Sequence, residues 1–380
     1  MRFALHNGPM LIGGEILEEQ AVIVADGVIE AVIAAADLPA GIDCHDLDGA
    51  LLAAGFIDTQ VNGGGGALFN DAPTVATVTT IAAAHRRFGT TGLFPTLISD
   101  DLDVVRTGVQ AVDAAIEAGV PGILGIHIEG PFLNSERRGI HVASKLRELD
   151  EAGFDIVTGL RNGRTLVTLA PEMTTPGMIA RLAAAGVVVA AGHTAATYAQ
   201  ARSALAHGLA GFTHLFNAMS QLGNREPGVV GAALEDPDSW CGLIVDGHHV
   251  SPTTLRLALR CKPPEKFVLV TDAMPSVGTS DSSFVLQGKT IRVVDGACVD
   301  AEGTLAGSHL DMAGAVRNAV NMLGVPVATA LQMASANPAA YLGIAATHGR
   351  IAAGFRADFV ALDAGLRCVA TWVSGEMMST

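Results

Sequence analysis

The sequence predicts an α/β protein: a (β/α)8 TIM-like barrel carrying a small β-sandwich formed by both ends of the chain. Two observations carry the barrel and one the sandwich. Eight β-rich runs alternate with Ala-rich helical stretches from residue 51 onward, the order expected of a parallel sheet wrapped by helices. Asp58, Glu129, His193, His214 and Asp272 each close one of those runs, as a barrel with its active face at the strand C-termini requires. Residues 1–50 and 349–380 instead alternate as short strands with Gly turns, and two half-sets of strands flanking a barrel pair most simply with each other.

The runs lie at 51–58, 91–96, 123–129, 165–170, 187–193, 211–214, 242–246 and 267–272. Helical stretches at 75–88, 102–118, 176–185 and 196–207 separate several of them, and a further helix at 312–323 follows the last. Gly186 and Gly208 stand where helices should end and supply left-handed caps. A doubly wound open sheet usually needs fewer strands, and no G-x-G-x-x-G follows the first run. Residues 282–304 read as strands joined by tight turns, a ribbon inserted before the last helix. The expected division is a sandwich from residues 1–50 plus 341–380 and a barrel from 51–340.

Composition narrows the function. With 49% hydrophobic and 16% charged residues, the chain is neither disordered nor fibrous. No apolar run reaches the roughly 18 residues of a membrane span. The formal charge of −15, from 23 basic and 38 acidic residues, argues against a nucleic-acid surface while leaving room for a small anionic substrate held by a few local cations. Five cysteines without a C-x-x-C pair read as reduced thiols, and the N-terminal stretch lacks the pattern of a secretion signal, so a cytoplasmic protein is expected.

Strand C-termini of a barrel converge on one face. Glu129, His193 and His214 should therefore meet there despite their separation in sequence, forming a two-imidazole, one-carboxylate set with an open position, the composition of a catalytic zinc site. Asp272 beside a metal-activated water would take a proton and return it to a leaving group, which suggests hydrolysis of an amide or ester-like bond. His127, two residues before Glu129, shares its face and should fill a lower barrel layer or orient a ligand. His141, His248 and His249 fall in loops on the active face, where substrate contact is expected. His6, His45, His85, His207 and His348 read as surface residues. The Gly63–Gly66 run reads as a flexible loop beside the site, since no helix start and Lys follow it as in a phosphate cradle.

The segments AAGFIDTQVNGGGG, HIEGPFLN, AGHTAA, THLFNAM, REPGVVGAAL, VDGHHV, VTDAM, LAGSHLDM, NPAAYLGI and GRIAAGFRADFVALD, in this order from about residue 50 to the end, resemble the N-acetylglucosamine-6-phosphate deacetylase family of the amidohydrolase superfamily. The resemblance implies a distorted barrel with a sandwich from both termini. It also implies metal ligation by Glu129, His193 and His214, acid–base catalysis by Asp272, and support of the acetyl oxygen by His141. His249 and Arg225 match the phosphate contacts, with Arg225 contributed across a homodimer interface. Gln60, Asn217, Ala218 and Leu305 match substrate contacts, and Arg138 stands where relatives commonly carry Lys. Many superfamily members hold a second metal with His-x-His at the end of strand one. Here those positions are Gln60 and Asn62, whose neutral amides are poor zinc ligands, so one metal is expected. Zn2+ is the first choice, and Fe2+, Co2+ or Mn2+ fit the same set. The implied substrate is a phosphorylated N-acetyl amino sugar, with no nucleic-acid or membrane partner. The galactosamine and mannosamine epimers, or a non-catalytic sugar-phosphate binding protein, are the alternatives.

Overall fold

The computed structural model describes residues 2–379. Eight parallel strands form its central sheet: β1 (Phe56–Val61), β2 (Thr90–Ile98), β3 (Gly125–Glu129), β4 (Arg164–Leu169), β5 (Val188–Ala191), β6 (Leu209–Phe212), β7 (Trp240–Leu243) and β8 (Phe267–Leu269), each paired with the next along the chain. Parallel neighbours need a crossover, and helices supply it for most of them. The sheet closes just beyond β8, where Val61 bridges Ala273 and the Asp272 N–H donates to the Gln60 carbonyl at 3.0 Å. Every residue of β1, β2 and β3 is buried, as expected of strands covered on both faces.

Helix starts follow from side-chain caps. Thr74 and Thr175 accept from the N–H three residues on, Thr197 and Gln200 satisfy each other reciprocally, and Asp311 opens the Met312–Leu323 helix. Gly186 and Gly208 take positive φ after their helices, as expected from sequence. The helix Gly228–Glu235 was not foreseen. Its first six residues are all buried, so it shows no polar face and no 3.6-residue stripe to read.

The run 51–58 is two strands rather than one. Leu51–Ala54 pairs antiparallel with Phe359–Leu362 in a six-stranded terminal sheet, and only Phe56–Val61 enters the barrel. A second, four-stranded sheet comes wholly from the first 46 residues. Phe3, Leu5, Val22 and Ile29 meet Phe359 and Trp372 in a core separate from that of the barrel. The ribbon is a four-stranded antiparallel meander, Ser283–Leu286, Lys289–Val294, Ala297–Val299 and Leu305–Ser308, so its last strand lies past residue 304. Ser308 N donates to the Asp272 carbonyl and Met274 N to the Ser308 carbonyl, which ties the ribbon to the exit of β8.

Residues 63–66 form a hairpin, not a flexible loop. Gly63–Gly64 pairs with Ala67–Leu68, and Gly65 and Gly66 take φ of 62° and 81°, the double positive φ of a two-residue hairpin turn. His85 packs beneath it, fully buried, with Nε2 2.9 Å from the Gly63 carbonyl, and is therefore no surface residue. Among the described residues, no helix is long and apolar enough to cross a membrane.

Candidate metal centre and substrate cleft

Glu129 ends β3, whereas His193, His214 and Asp272 fall two or three residues beyond β5, β6 and β8. All three of the latter adopt positive φ, 47°, 32° and 54°. The strands end earlier than the sequence suggested because this conformation cannot continue a ladder. Non-glycine residues held there are strained and concentrate at functional sites.

The donor atoms converge. His193 Nε2 and His214 Nε2 lie 3.2 and 3.0 Å from Glu129 Oε1 and 3.1 Å from each other. His193 Nδ1 faces the Arg137 carbonyl at 2.9 Å, so it carries the ring proton and leaves Nε2 with its lone pair turned toward Glu129. Lone pairs and a carboxylate crowded together repel unless a cation sits among them, and the three side chains are all buried. This donor set therefore fits a divalent metal with an open coordination position. Burial works to raise the Glu129 carboxyl, but the two imidazoles against it override this and hold the group well below the usual range. Burial would lower His214, but Glu129 outweighs it and raises the ring.

Asp272 joins this group through amides. Asn62 Nδ2 donates to its Oδ1 at 2.7 Å, and Gln60 Nε2 lies 3.1 Å from the same oxygen and 3.2–3.3 Å from both Glu129 oxygens. Burial, then the Glu129 charge, pushes the Asp272 carboxyl up to about 6. His141 lies with its ring centre 4.4 Å from that of His193 and its Nδ1 on Ser99, and burial pushes it down to about 3. A cleft of about 320 Å3 opens over these groups, lined also by Asn217, Ala218, His249 and Leu305.

Comparison with known proteins agrees with this fold. A model described as the amidohydrolase family matches residues 51–378, and one described as the NagA composite domain matches residues 2–52. The chain belongs to the amidohydrolase family. It is 43% identical over 373 residues to an N-acetylgalactosamine-6-phosphate deacetylase of Shewanella sp. (strain ANA-3), covering 97% of this chain and 94% of that one. The crystal structure of an N-acetylglucosamine-6-phosphate deacetylase from Pasteurella multocida superposes with a TM-score of 0.97 at 34% identity over the full length of both chains. A mutant N-acetyl-D-glucosamine-6-phosphate deacetylase from Mycobacterium smegmatis, in complex with N-acetyl-D-glucosamine-6-phosphate, superposes at 0.92 with 36% identity, again over both full lengths.

Within this amidohydrolase the remaining expected residues fall in different places. His249, Asn217, Ala218 and Leu305 reach the cleft. Gln60 lies beneath it, bridging the two carboxylates, and Arg138 donates to the His141 carbonyl at 3.0 Å, bracing that loop. Arg225 is exposed on the 221–226 loop and lines no part of the cleft of its own chain. His127 sits one layer down, between Thr96 Oγ1 at 3.1 Å and Thr168 Oγ1 at 2.8 Å, and burial pushes it down to about 4. Asp58 does not join the centre. It lies inside β1, where the Thr271 hydroxyl donates to Oδ2 at 2.5 Å and the Gln60 and Thr271 N–H groups donate to Oδ1.

Three residues escaped the sequence reading. Asn62 was weighed only as a missing metal ligand, yet it holds Asp272, and its own Oδ1 is buried without a partner. Asp246 receives His249 Nδ1 at 2.6 Å; its place three residues before that histidine was the available signal. Ser99 resembles any polar residue closing a strand, so nothing marked it.

Proposed function

We propose that this chain is a metal-dependent deacetylase that hydrolyses N-acetyl-D-glucosamine 6-phosphate to D-glucosamine 6-phosphate and acetate. The observation that carries the reading is the meeting of Glu129, His193 and His214 with Asp272 at the floor of one cleft, in a chain whose full-length relatives are named for this chemistry. One divalent cation held by those three ligands, zinc first and iron(II), cobalt or manganese after it, supplies Lewis acidity and an acidified water.

The protein's residues do the rest. Asn62 and Gln60 direct their amides at Oδ1 of Asp272, leaving Oδ2 free to take a proton from the attacking water. As the C–N bond breaks, Asp272 gives that proton to the sugar nitrogen. His141 directs a ring N–H at the acetyl oxygen, where a donor placed for developing negative charge is worth about 3 kcal/mol. The phosphate is met by His249, held in place by Asp246, and by Arg225 of a second subunit in a homodimer. Asn217, Ala218 and Leu305 complete the substrate site, braced from behind by Arg138 and Gln60, and the enzyme works in the cytoplasm.

The galactosamine epimer is the second reading, favoured by the 43% identical Shewanella relative. Turnover of the gluco, galacto and manno N-acetylhexosamine 6-phosphates by protein of measured metal content separates them. The gluco substrate should give the highest kcat/KM. A higher value on the galacto epimer moves the assignment to it, and no acetate release from any of the three ends the deacetylase reading.

A further inference from the structure

We infer that Ser99 is a positioning residue that locks His141 as a neutral imidazole with its single proton on Nε2. The inference rests on the proposed role of His141 as donor to the acetyl oxygen and specifies how that role is enforced.

His141 Nδ1 lies 3.2 Å from the Ser99 backbone N and 2.8 Å from Ser99 Oγ. A backbone N–H only donates. A proton on Nδ1 would face that N–H head-on, so Nδ1 accepts and the neutral ring bears its hydrogen on Nε2. The same contact opposes the imidazolium, which needs protons on both nitrogens.

Both partners are fixed. Asn70 clamps the residue before Ser99, its Oδ1 accepting from Ile98 N at 2.9 Å and its Nδ2 donating to the Ile98 carbonyl at 3.1 Å. The Ser99 carbonyl accepts from Gln287 Nε2 of the ribbon at 3.0 Å. The hydroxyl is pressed against Gly130, where a Cβ would come within 2.2 Å of it. On the other side, the Arg138 guanidinium holds the His141 carbonyl and the His141 N–H donates to the Arg138 carbonyl at 3.0 Å.

His249 presents the opposite case, because its Nδ1 faces the Asp246 carboxylate, an acceptor that requires a proton there. The two histidines lining one cleft are thus set to opposite patterns by what stands behind each. His141 donates one hydrogen bond and neither takes nor delivers a proton, which leaves proton transfer to Asp272.

The test is 15N NMR of the zinc-loaded enzyme labelled at histidine, with the His141 signals assigned by their loss in His141→Gln. Protonated Nε2 and bare Nδ1 on His141 are expected; a proton on Nδ1 overturns the inference. Ser99→Asp places a second acceptor behind Nδ1 and should move the proton onto it, lowering kcat by about 10²–10³ with KM little changed, the usual cost of a lost oxyanion donor. Ser99→Ala keeps the backbone donor and should lose only about 3–10-fold. Wild-type kcat in folded Ser99→Asp would count against the lock. Wild-type kcat in His141→Ala, which has no side-chain donor, would instead remove the donor role itself.

Discussion

On one side of the cleft, Glu129, His193, His214 and Asp272 stand at or just past strand ends, none more than 8% exposed, each held by hydrogen bonds from a different strand or loop. On the other side, His249 and Asn217 come from loops, Leu305 from the ribbon, and Arg225 from an exposed loop that does not reach its own chain's cleft. In the proposed deacetylase, bond breaking tolerates little misplacement, and its groups sit where eight hydrogen-bonded strands fix the backbone. Recognition of a phosphate and a ring of hydroxyls tolerates more, and loops can vary without disturbing the barrel. The difference teaches which residues a substitution should turn off and which it should merely retune.

The largest effect should come from Asp272→Asn. The substitution keeps Oδ1 as an acceptor for the Asn62 and Gln60 amides and leaves Glu129, His193 and His214 untouched, so the metal should remain at about wild-type occupancy. The proton shuttle is lost, which corresponds to a fall in kcat of about 10²–10⁴. Metal analysis and steady-state rates on the same sample check both halves. Turnover within tenfold of wild type would remove Asp272 from the chemistry and erase the contrast between the two sides.

This contrast also explains what the sequence made legible. Barrel strands are short, apolar and regularly spaced, and a His or Glu closing such a run is conspicuous, so Glu129, His193, His214 and Asp272 stand out in the sequence alone. Positive φ at His193, His214 and Asp272 has no sequence signature, and the strand ends were accordingly placed too late. The two strands of 51–58 merged because both are fully apolar up to Asp58, and a change of sheet at Gly55 leaves no mark in hydropathy. His85 looked like one more helical surface residue because burial beneath a hairpin depends on a tertiary contact with Gly63. Ser99 and Asp246 act through another side chain, and such partners are chosen by distance in space, which one sequence does not carry.

Below the cleft, Asp58 sharpens the comparison by being a carboxylate at a strand that takes no part in the centre. Burial, partly offset by the Thr271 and Gln60 donors, pushes it up to about 7. A raised carboxyl pKa means that the folded state holds a proton which the unfolded chain, near 3.8, has already released. Stability therefore falls as pH rises from about 4 to 7 and levels off above it. Between pH 5 and 7.5 this amounts to about 2–3 kcal/mol. Asp58→Asn should abolish that share of the slope while keeping the hydrogen bonds. Its Oδ1 still accepts from Gln60 and Thr271, and the new amide donates to Thr271 Oγ1, freeing that hydroxyl to turn to the Gln60 carbonyl at 3.4 Å. Urea midpoints at the two pH values check this; parallel pH profiles for wild type and variant would show that Asp58 is ionised in the fold.

The smallest effect should come from Arg225→Ala, on the side of the cleft that loops build. Arg225 is exposed in its own chain, so its removal should leave folding and the metal centre intact. One charge-assisted hydrogen bond at the lower end of its usual 1.5–3 kcal/mol gives about a tenfold rise in KM for the phosphorylated substrate. The slow reaction of the unphosphorylated sugar should not change, because that substrate offers Arg225 nothing to hold. The effect should also need two copies of the chain. Mixing Arg225→Ala with Asp272→Asn should restore to a share of the dimers one site that has an intact Asp272 and receives Arg225 from its neighbour. Low-KM turnover should then reappear in the mixture. Mixtures that show only the sum of the separate variants would place Arg225 outside the neighbouring site, and equal losses on both substrates would place it outside phosphate binding.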